Sequence, residues 1–356
     1  MISQIHITNE KYRTERSAEI AAACDITANS ISIVYYDLAL RRRYARTALI
    51  GESITVQNAA KELLKLLVTS QREFGIGASV IRSVGIAAPM PIESVLEAEL
   101  SAEALHLPPD TEVLFVPFIS AGISGRFTAT LLTLPEGDFL AANIGGELCI
   151  AHRSGGELEC AAFPLNGAFD GSGLESGMPA EKGAIDAVRR EKDGSIVYEV
   201  VGDADSIGVS PCGAAMAVNM MRETGTVDSD GIMTDRDLLY IGEDFFISQS
   251  DVRIIQSDKA RCGAAFEVFG KSERTFLSGE PFATETGLRA MVELGAIPES
   301  CKGAGFCRNS TEQGIIMFLE SEEARNKAYE FAKKARDITS ELLTGFDEKY
   351  FDYLGF

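Results

Sequence analysis

The stretch AAACDITANSISIVYYDL, residues 21–38, decides how the chain is read. A short apolar run enters a polar turn at Asp25-Ile26-Thr27-Ala28-Asn29 and leaves as a second strand. There Ile31, Ile33 and Tyr35 fall on one face and Ser32, Val34 and Tyr36 on the other. An aspartate at the end of a buried strand, with hydroxyl residues behind it, admits two readings. Asp25 can cap the hairpin's own backbone as an Asx-turn. Alternatively it can hold Mg²⁺ through water while adjacent N–H groups and the Thr27 and Ser30 hydroxyls meet phosphate oxygens.

Outward from this turn, strands at 19–26, 30–38 and 44–50 form a meander joined by the charged turn ALRRR. A helix follows over 55–75, with Ala59, Leu63, Leu66, Leu67 and Phe74 as its apolar stripe and Gly75 as its stop. A strand at 81–87, a helix at 92–105 and a strand at 113–118 complete a β-β-β-α-β-α-β unit. The second part of the chain opens the same way. DFLAANIGGELCIAHRSGGELECAAF reads as strand, tight turn, strand, glycine turn, strand, with Asn143-Ile144-Gly145 where the first part has Asp25-Ile26-Thr27. Helices are expected at 214–224, 250–269 and 283–294, a strand at RTFLSG, and one long amphipathic helix through Ala324, Ala328, Phe331 and Ala335. The expected organisation is a polar leader at 1–18, a first lobe at 19–118, and a second at 119–356 carrying the C-terminal helix. Two copies of one meander imply a duplicated domain with a cleft between the copies.

Four further segments carry candidate chemistry. The turn NIGGEL offers Gly145 and Gly146, which suit either φ > 0 and a close ligand or a plain Gly-Gly hairpin. The loop from Gly167 to Gly183 holds five glycines together with Asp170 and Glu175, more than a tight turn needs. GVSPCGAAMAVNMM leads small residues into a helix whose N-terminus is either an anion site or a close packing contact through Gly213. SQSDVRIIQSDKARCG displays Lys259 on a helix, as a nucleotide contact or on a solvated face.

Composition narrows the classes. At 356 residues the chain suits two lobes of roughly 150 residues each. With 53 acidic against 33 basic residues and a net charge of −20, it lacks the basic face that nucleic acid or an anionic membrane requires. No apolar run reaches the ~18 residues of a membrane span, and the N-terminus lacks a signal-peptide core, so the expected location is cytoplasmic. Seven scattered cysteines fit reduced thiols; the nearest pair, CKGAGFC, has neither CxxC nor iron–sulfur spacing. His6, His106 and His152 stand far apart and suggest neither zinc nor a serine triad.

In this order, these stretches resemble the ATPase domain of the reductive activators of corrinoid-dependent methyltransferases, of actin-like fold (acetate and sugar kinase/Hsp70/actin, ASKHA). CDITANSISIVYYDL is similar to the family's first phosphate turn, and FLAANIGGELCIA to its second. LFVPFISAGISGRFTATLL, NGAFDGSGLESGMPAEKGAI, ISQSDVRIIQSDKARCG and TFLSGEPFATETGLRAMVELGAIP resemble further family segments, so the likeness runs from about residue 19 to the end. It implies an α/β fold of two lobes with duplicated β-β-β-α-β-α units, binding ATP and Mg²⁺. Asp25 would hold the metal; Thr27, Ser30, Gly145 and Gly146 would lie at the phosphates. Gly213 and Lys259 would line the nucleoside side, Gly167 and Gly279 would also belong to the cofactor site, and Asp170, with Asn143 at the second turn, would stand in the catalytic positions. The implied partners are a corrinoid protein or methyltransferase and a separate electron donor, with the chain as monomer or homodimer left open.

The sequence also departs from the family's pattern. Thr27 replaces a glycine, Asn143 an aspartate and Ala215 a glycine; Pro211 removes an N–H, and FLSGEPF keeps one glycine of two. The ferredoxin-like domain with its [2Fe–2S] cluster is absent from this sequence, so electrons would come from another protein. Two functions stay open: an ATP-binding accessory protein that is an ATPase with degenerate motifs, or a pseudo-ATPase scaffold that hydrolyses nothing. A small-molecule kinase of the same superfamily is a third.

Overall fold

The computed structural model describes residues 19–49, 53–202, 204–234, 237–282, 285–307 and 309–356. The leader at 1–18 with His6, and the expected element ends at Ile50 and Ala283, lie outside the described residues. The contacts divide the chain into two units. One runs to Pro135 and resumes at Asn309–Ala335; the other comprises Glu136–Arg308 and Arg336–Phe356.

The first unit is built on a five-stranded sheet. Strands β1 (Ile20–Ile26), β2 (Ser30–Asp37) and β3 (Arg42–Leu49) form the antiparallel meander. After α1 (Ala59–Phe74), β4 (Ile81–Ala87) pairs parallel to β1; after α2 (Met90–Glu99), β5 (Glu112–Phe115) pairs parallel to β4. The order is β3-β2-β1-β4-β5, and α3 (Gly125–Leu132) follows. Because β1 lies between two strands and is covered on both faces, its run IAAACDI is buried throughout instead of alternating. Helix α1 buries the expected stripe, and Gly75 at φ 70° closes it with its N–H on the Gln71 carbonyl. Tyr35 carries its hydroxyl through this layer to Ser70 Oγ at 2.8 Å.

The second unit repeats the plan. Strands β6 (Phe139–Ile144), β7 (Glu147–Ser154) and β8 (Glu157–Pro164) form its meander. A long crossover follows: β9 (Ala184–Arg190), β10 (Ile196–Val200), β11 (Gly208–Val209), α4 (Pro211–Glu223), β12 (Leu238–Tyr240), β13 (Phe246–Ser248) and α5 (Gln249–Phe269). Then β14 (Thr275–Ser278) pairs parallel to β6 and, after α6 (Glu285–Leu294), β15 (Gly305–Cys307) pairs parallel to β14. The order β8-β7-β6-β14-β15 repeats that of the first sheet. The duplicated α/β unit expected from the sequence is present twice.

Several stretches differ from the expectation, α3 among them. Helix α7 (Ser310–Glu320), not anticipated, packs on β1, β4 and α3 of the first unit. Its approach is so close that a Cβ on Gly314 would lie 1.8 Å from the Ala129 carbonyl oxygen. The expected single C-terminal helix is two: α8 (Glu322–Lys334) and α9 (Thr339–Asp352), separated by β16 (Arg336–Asp337). The break follows from strand pairing. Arg336 and Asp337 add to the edge of β8 opposite Glu159 and Cys160, and Asp337 Oδ1 accepts from Thr339 N (2.9 Å) and Oγ1 (2.6 Å), starting α9. An amphipathic stripe cannot announce such a partner. Among the described residues no helix is long and apolar enough to cross a membrane.

Candidate functional site

In the first unit, β1 ends at the expected turn, but its side chains are used differently from either sequence reading. Thr27, not Asp25, closes the hairpin. Its Oγ1 accepts from the N–H groups of Asn29 (3.1 Å) and Ser30 (2.9 Å), lies 2.9 Å from Ser30 Oγ, and its own N–H reaches the Ser30 carbonyl. Arg41 and His106 are the non-glycine residues at positive φ among those described, so Thr27 bears no left-handed strain.

Asp25 turns instead to Arg126, in the first turn of α3. Arg126 Nε donates to Oδ1 at 2.5 Å and Nη2 to Oδ2 at 3.2 Å, a two-pronged pair with both partners largely buried. A second carboxyl adjoins it. Glu312 of α7 is buried and accepts from Ser32 Oγ at 3.0 Å, and Ser32 stands opposite Asp25 in the β1–β2 register. Burial first, and Asp25 second, push the Glu312 carboxyl up, with Arg43 opposing. Sequence reasoning missed Arg126 and Glu312. Arg126 lies inside a segment matched to the family, but its helix was not foreseen.

In the second unit, five expected residues gather at the end of β6. Asn143 donates its Nδ2 to Ser278 Oγ at 2.9 Å, across the β6–β14 pairing. Gly279, the next residue, has φ 113°, and a Cβ there would sit 1.9 Å from the Ile144 carbonyl oxygen, so only glycine fits. In the Gly145–Gly146 turn a Cβ on Gly145 would meet open space, and Gly146 is crowded for another reason. Neither residue has a positive φ; a Cβ on Gly146 would meet Asp170 Oδ2 at 2.5 Å. Asp170 is thereby laid against the second turn, its Oδ1 held by Ser172 N (2.9 Å) and Oγ (2.6 Å). This carboxylate is half-buried.

The glycine loop that carries Asp170 is close-packed on itself. Gly167 at φ 87° would drive a Cβ to 2.6 Å from Gly173 N, and Gly177 one to 2.1 Å from the Gly171 carbonyl oxygen. Asp258 of α5 anchors the loop by accepting from Asn166 N and Ala168 N at 2.7 and 3.0 Å. Burial pushes Asp258 up to about 6, against the pull of these N–H groups. Glu175 accepts from Ser248 Oγ at 2.7 Å at the capped start of α5.

Gly213 and Lys259 have other contacts. Gly213 N donates to the N-cap Ser210 Oγ at 3.0 Å, and a Cβ there would lie 2.2 Å from the Ile185 carbonyl oxygen. Gly213 therefore serves the packing of α4 on β9, and Pro211 at the first helical position loses nothing by lacking an N–H. Lys259 is buried, donates to the Gly355 carbonyl and stands 5.2 Å over the Phe356 ring, which Arg222 also faces at 5.3 Å. Burial, reinforced by Arg222, lowers Lys259 to about 8.

Mg²⁺, which the family resemblance implies, takes near-octahedral oxygen ligation through carboxylates, phosphates and water. Both Asp25 oxygens are held by a guanidinium, and Asn143 is an amide directed at Ser278. Among the described residues no group of three or more His, Cys, Asp or Glu gathers to hold a metal ion. The residues present do not fit a divalent cation.

Two sheets of the same order, each a three-strand meander extended by two parallel strands, with a turn at the end of each first strand, define an actin-like ASKHA domain. More narrowly, the chain belongs to the family described as the C-terminal domain of RACo, the ASKHA domain, whose model matches residues 140–356. A solved structure, a reductive activator for corrinoid, iron–sulfur protein, is similar with a TM-score of 0.82 at 17% identity, covering 96% of this chain and 67% of that one. The ethanolamine utilization protein EutJ from Carboxydothermus hydrogenoformans is similar with a TM-score of 0.43 at 10% identity, covering 87% and 92%. No curated protein matches.

Proposed function

We propose that this chain is an accessory protein for the reductive activation of corrinoid-dependent methyltransferase systems: it binds ATP and docks on a corrinoid protein. The observation that carries this reading is membership of the RACo ASKHA family over 140–356. In this reading the Thr27–Ser30 turn is the phosphate turn of the first unit, and the Gly145–Gly146 turn is its counterpart in the second. Electrons come from a separate iron–sulfur protein, and the work of the chain is carried out in the cytoplasm.

A second reading is favoured by Asn143 and Arg126. The amide at the second turn is spent on Ser278, and Asp25 is neutralised by a guanidinium. Both features suit a module that binds nucleotide and partner without hydrolysing. The test is surface plasmon resonance of immobilised corrinoid proteins against this chain, with and without ATP, beside a phosphate-release assay. Docking that responds to ATP supports the accessory role, and the absence of released phosphate selects the non-hydrolysing form. No docking on any corrinoid protein rules the role out.

A further inference from the structure

We propose that Arg126 stands in for the divalent cation at the end of β1, so that the chain takes the polyphosphate of a nucleoside triphosphate without a metal ion. This rests on the nucleotide reading of the Thr27–Ser30 turn and says which form of the ligand that turn accepts.

The charges at this strand end are already balanced. Asp25 is 8% exposed and answered by the fork of Arg126, so its negative charge needs no further cation. The second carboxyl, Glu312, is pushed up by burial and by Asp25, which disfavours a second negative charge beside the first. A hydrated Mg²⁺ arriving here would have to take the Asp25 oxygens from Arg126 and leave the guanidinium uncompensated in a largely buried place. The Arg126 side chain keeps 18% of its surface exposed. A planar guanidinium is suited to phosphate as well as to carboxylate. Arg126 also sits in the first turn of α3, whose N-terminal end favours anions.

The experiment is isothermal titration of the full chain with ATP, once with EDTA and once with excess MgCl₂. Wild type, Arg126→Ala and Arg126→Lys are compared, each checked for native circular dichroism. The expected result is wild-type affinity that changes less than about twofold between EDTA and Mg²⁺. Arg126→Ala should lose about tenfold or more in EDTA, the scale of one charged hydrogen-bonded contact, and recover part of it when Mg²⁺ is added. Arg126→Lys, which keeps charge but loses the fork, should fall between. Wild-type binding that requires Mg²⁺, or Arg126→Ala binding as wild type does in EDTA, overturns the proposal while leaving nucleotide binding intact. Absence of heat with wild type in both buffers removes the nucleotide reading itself, and this inference with it. If Arg126→Ala does not fold, the wild-type pair of titrations and Arg126→Lys still decide.

Discussion

Replacing Arg126 by methionine keeps the aliphatic stem of the side chain and removes the guanidinium. Asp25 is then left as a carboxylate at 8% exposure, with Glu312 as an acidic neighbour and two hydrogen bonds, at 2.5 and 3.2 Å, lost. Breaking one side of a buried ion pair costs ~3–5 kcal/mol, because the remaining charge stays desolvated. The partial exposure of both groups, 10% and 18% at the side chains, puts the expected loss at the lower end, about 3 kcal/mol. In urea, with a slope of about 3 kcal/mol/M, the transition of the first unit should move down by about 1 M. The double variant Asp25→Asn, Arg126→Met removes the orphaned charge and should recover about 2 kcal/mol of that loss. The assay is equilibrium urea denaturation followed by circular dichroism at neutral pH. A single variant that costs under about 1 kcal/mol, or a double variant no more stable than the single, would refute the reasoning that a buried, mutually dependent pair ends β1.

Gly279→Ala places a Cβ 1.9 Å from the Ile144 carbonyl oxygen at a φ of 113°, and should destabilise the second unit by about 3 kcal/mol or more, read as a lowered melting temperature. Glu93, buried in α2 with its Oε2 lacking a hydrogen-bond partner, is raised to about 8, chiefly by burial. Its folded form keeps a proton that the unfolded chain releases near 4.5. Stability should therefore fall as pH rises between those values, by up to about 1.4 kcal/mol per unit. Glu93→Gln should flatten this slope and exceed wild type in stability at pH 8, measured by denaturant titration across the window; an unchanged slope would contradict it.

How much of this was legible depended on the sequence distance over which each feature is decided. The β1–β2 hairpin, α1 with its Gly75 stop and the 81–87 strand follow from local apolar patterning and turn chemistry, and the structure has them where the residues put them. Asp25 drew attention as a strand-end carboxylate, yet its partner lies 101 residues away, and Glu312 lies 280 from Ser32. No local pattern encodes such pairings. Gly146 read as a residue chosen for its φ, whereas the constraint is the Asp170 carboxylate arriving from a distant loop. The stripe of Ala324, Ala328, Phe331 and Ala335 is helical through Lys334, after which pairing of Arg336 and Asp337 with β8 outweighs it. Gly213 and Lys259, whose roles came from resemblance, are placed by packing on Ile185 and by Gly355 and Phe356.

The most direct test of the accessory role is spectroscopic. A corrinoid protein poised in the Co(II) state is mixed with a low-potential iron–sulfur donor, and the rise of Co(I) absorbance is followed with and without this chain and ATP. The account expects Co(I) to accumulate faster, or to a higher level, when chain and ATP are both present. A Co(I) trace unchanged by the chain, with nucleotide or without, across the corrinoid proteins of the same cell, would contradict it.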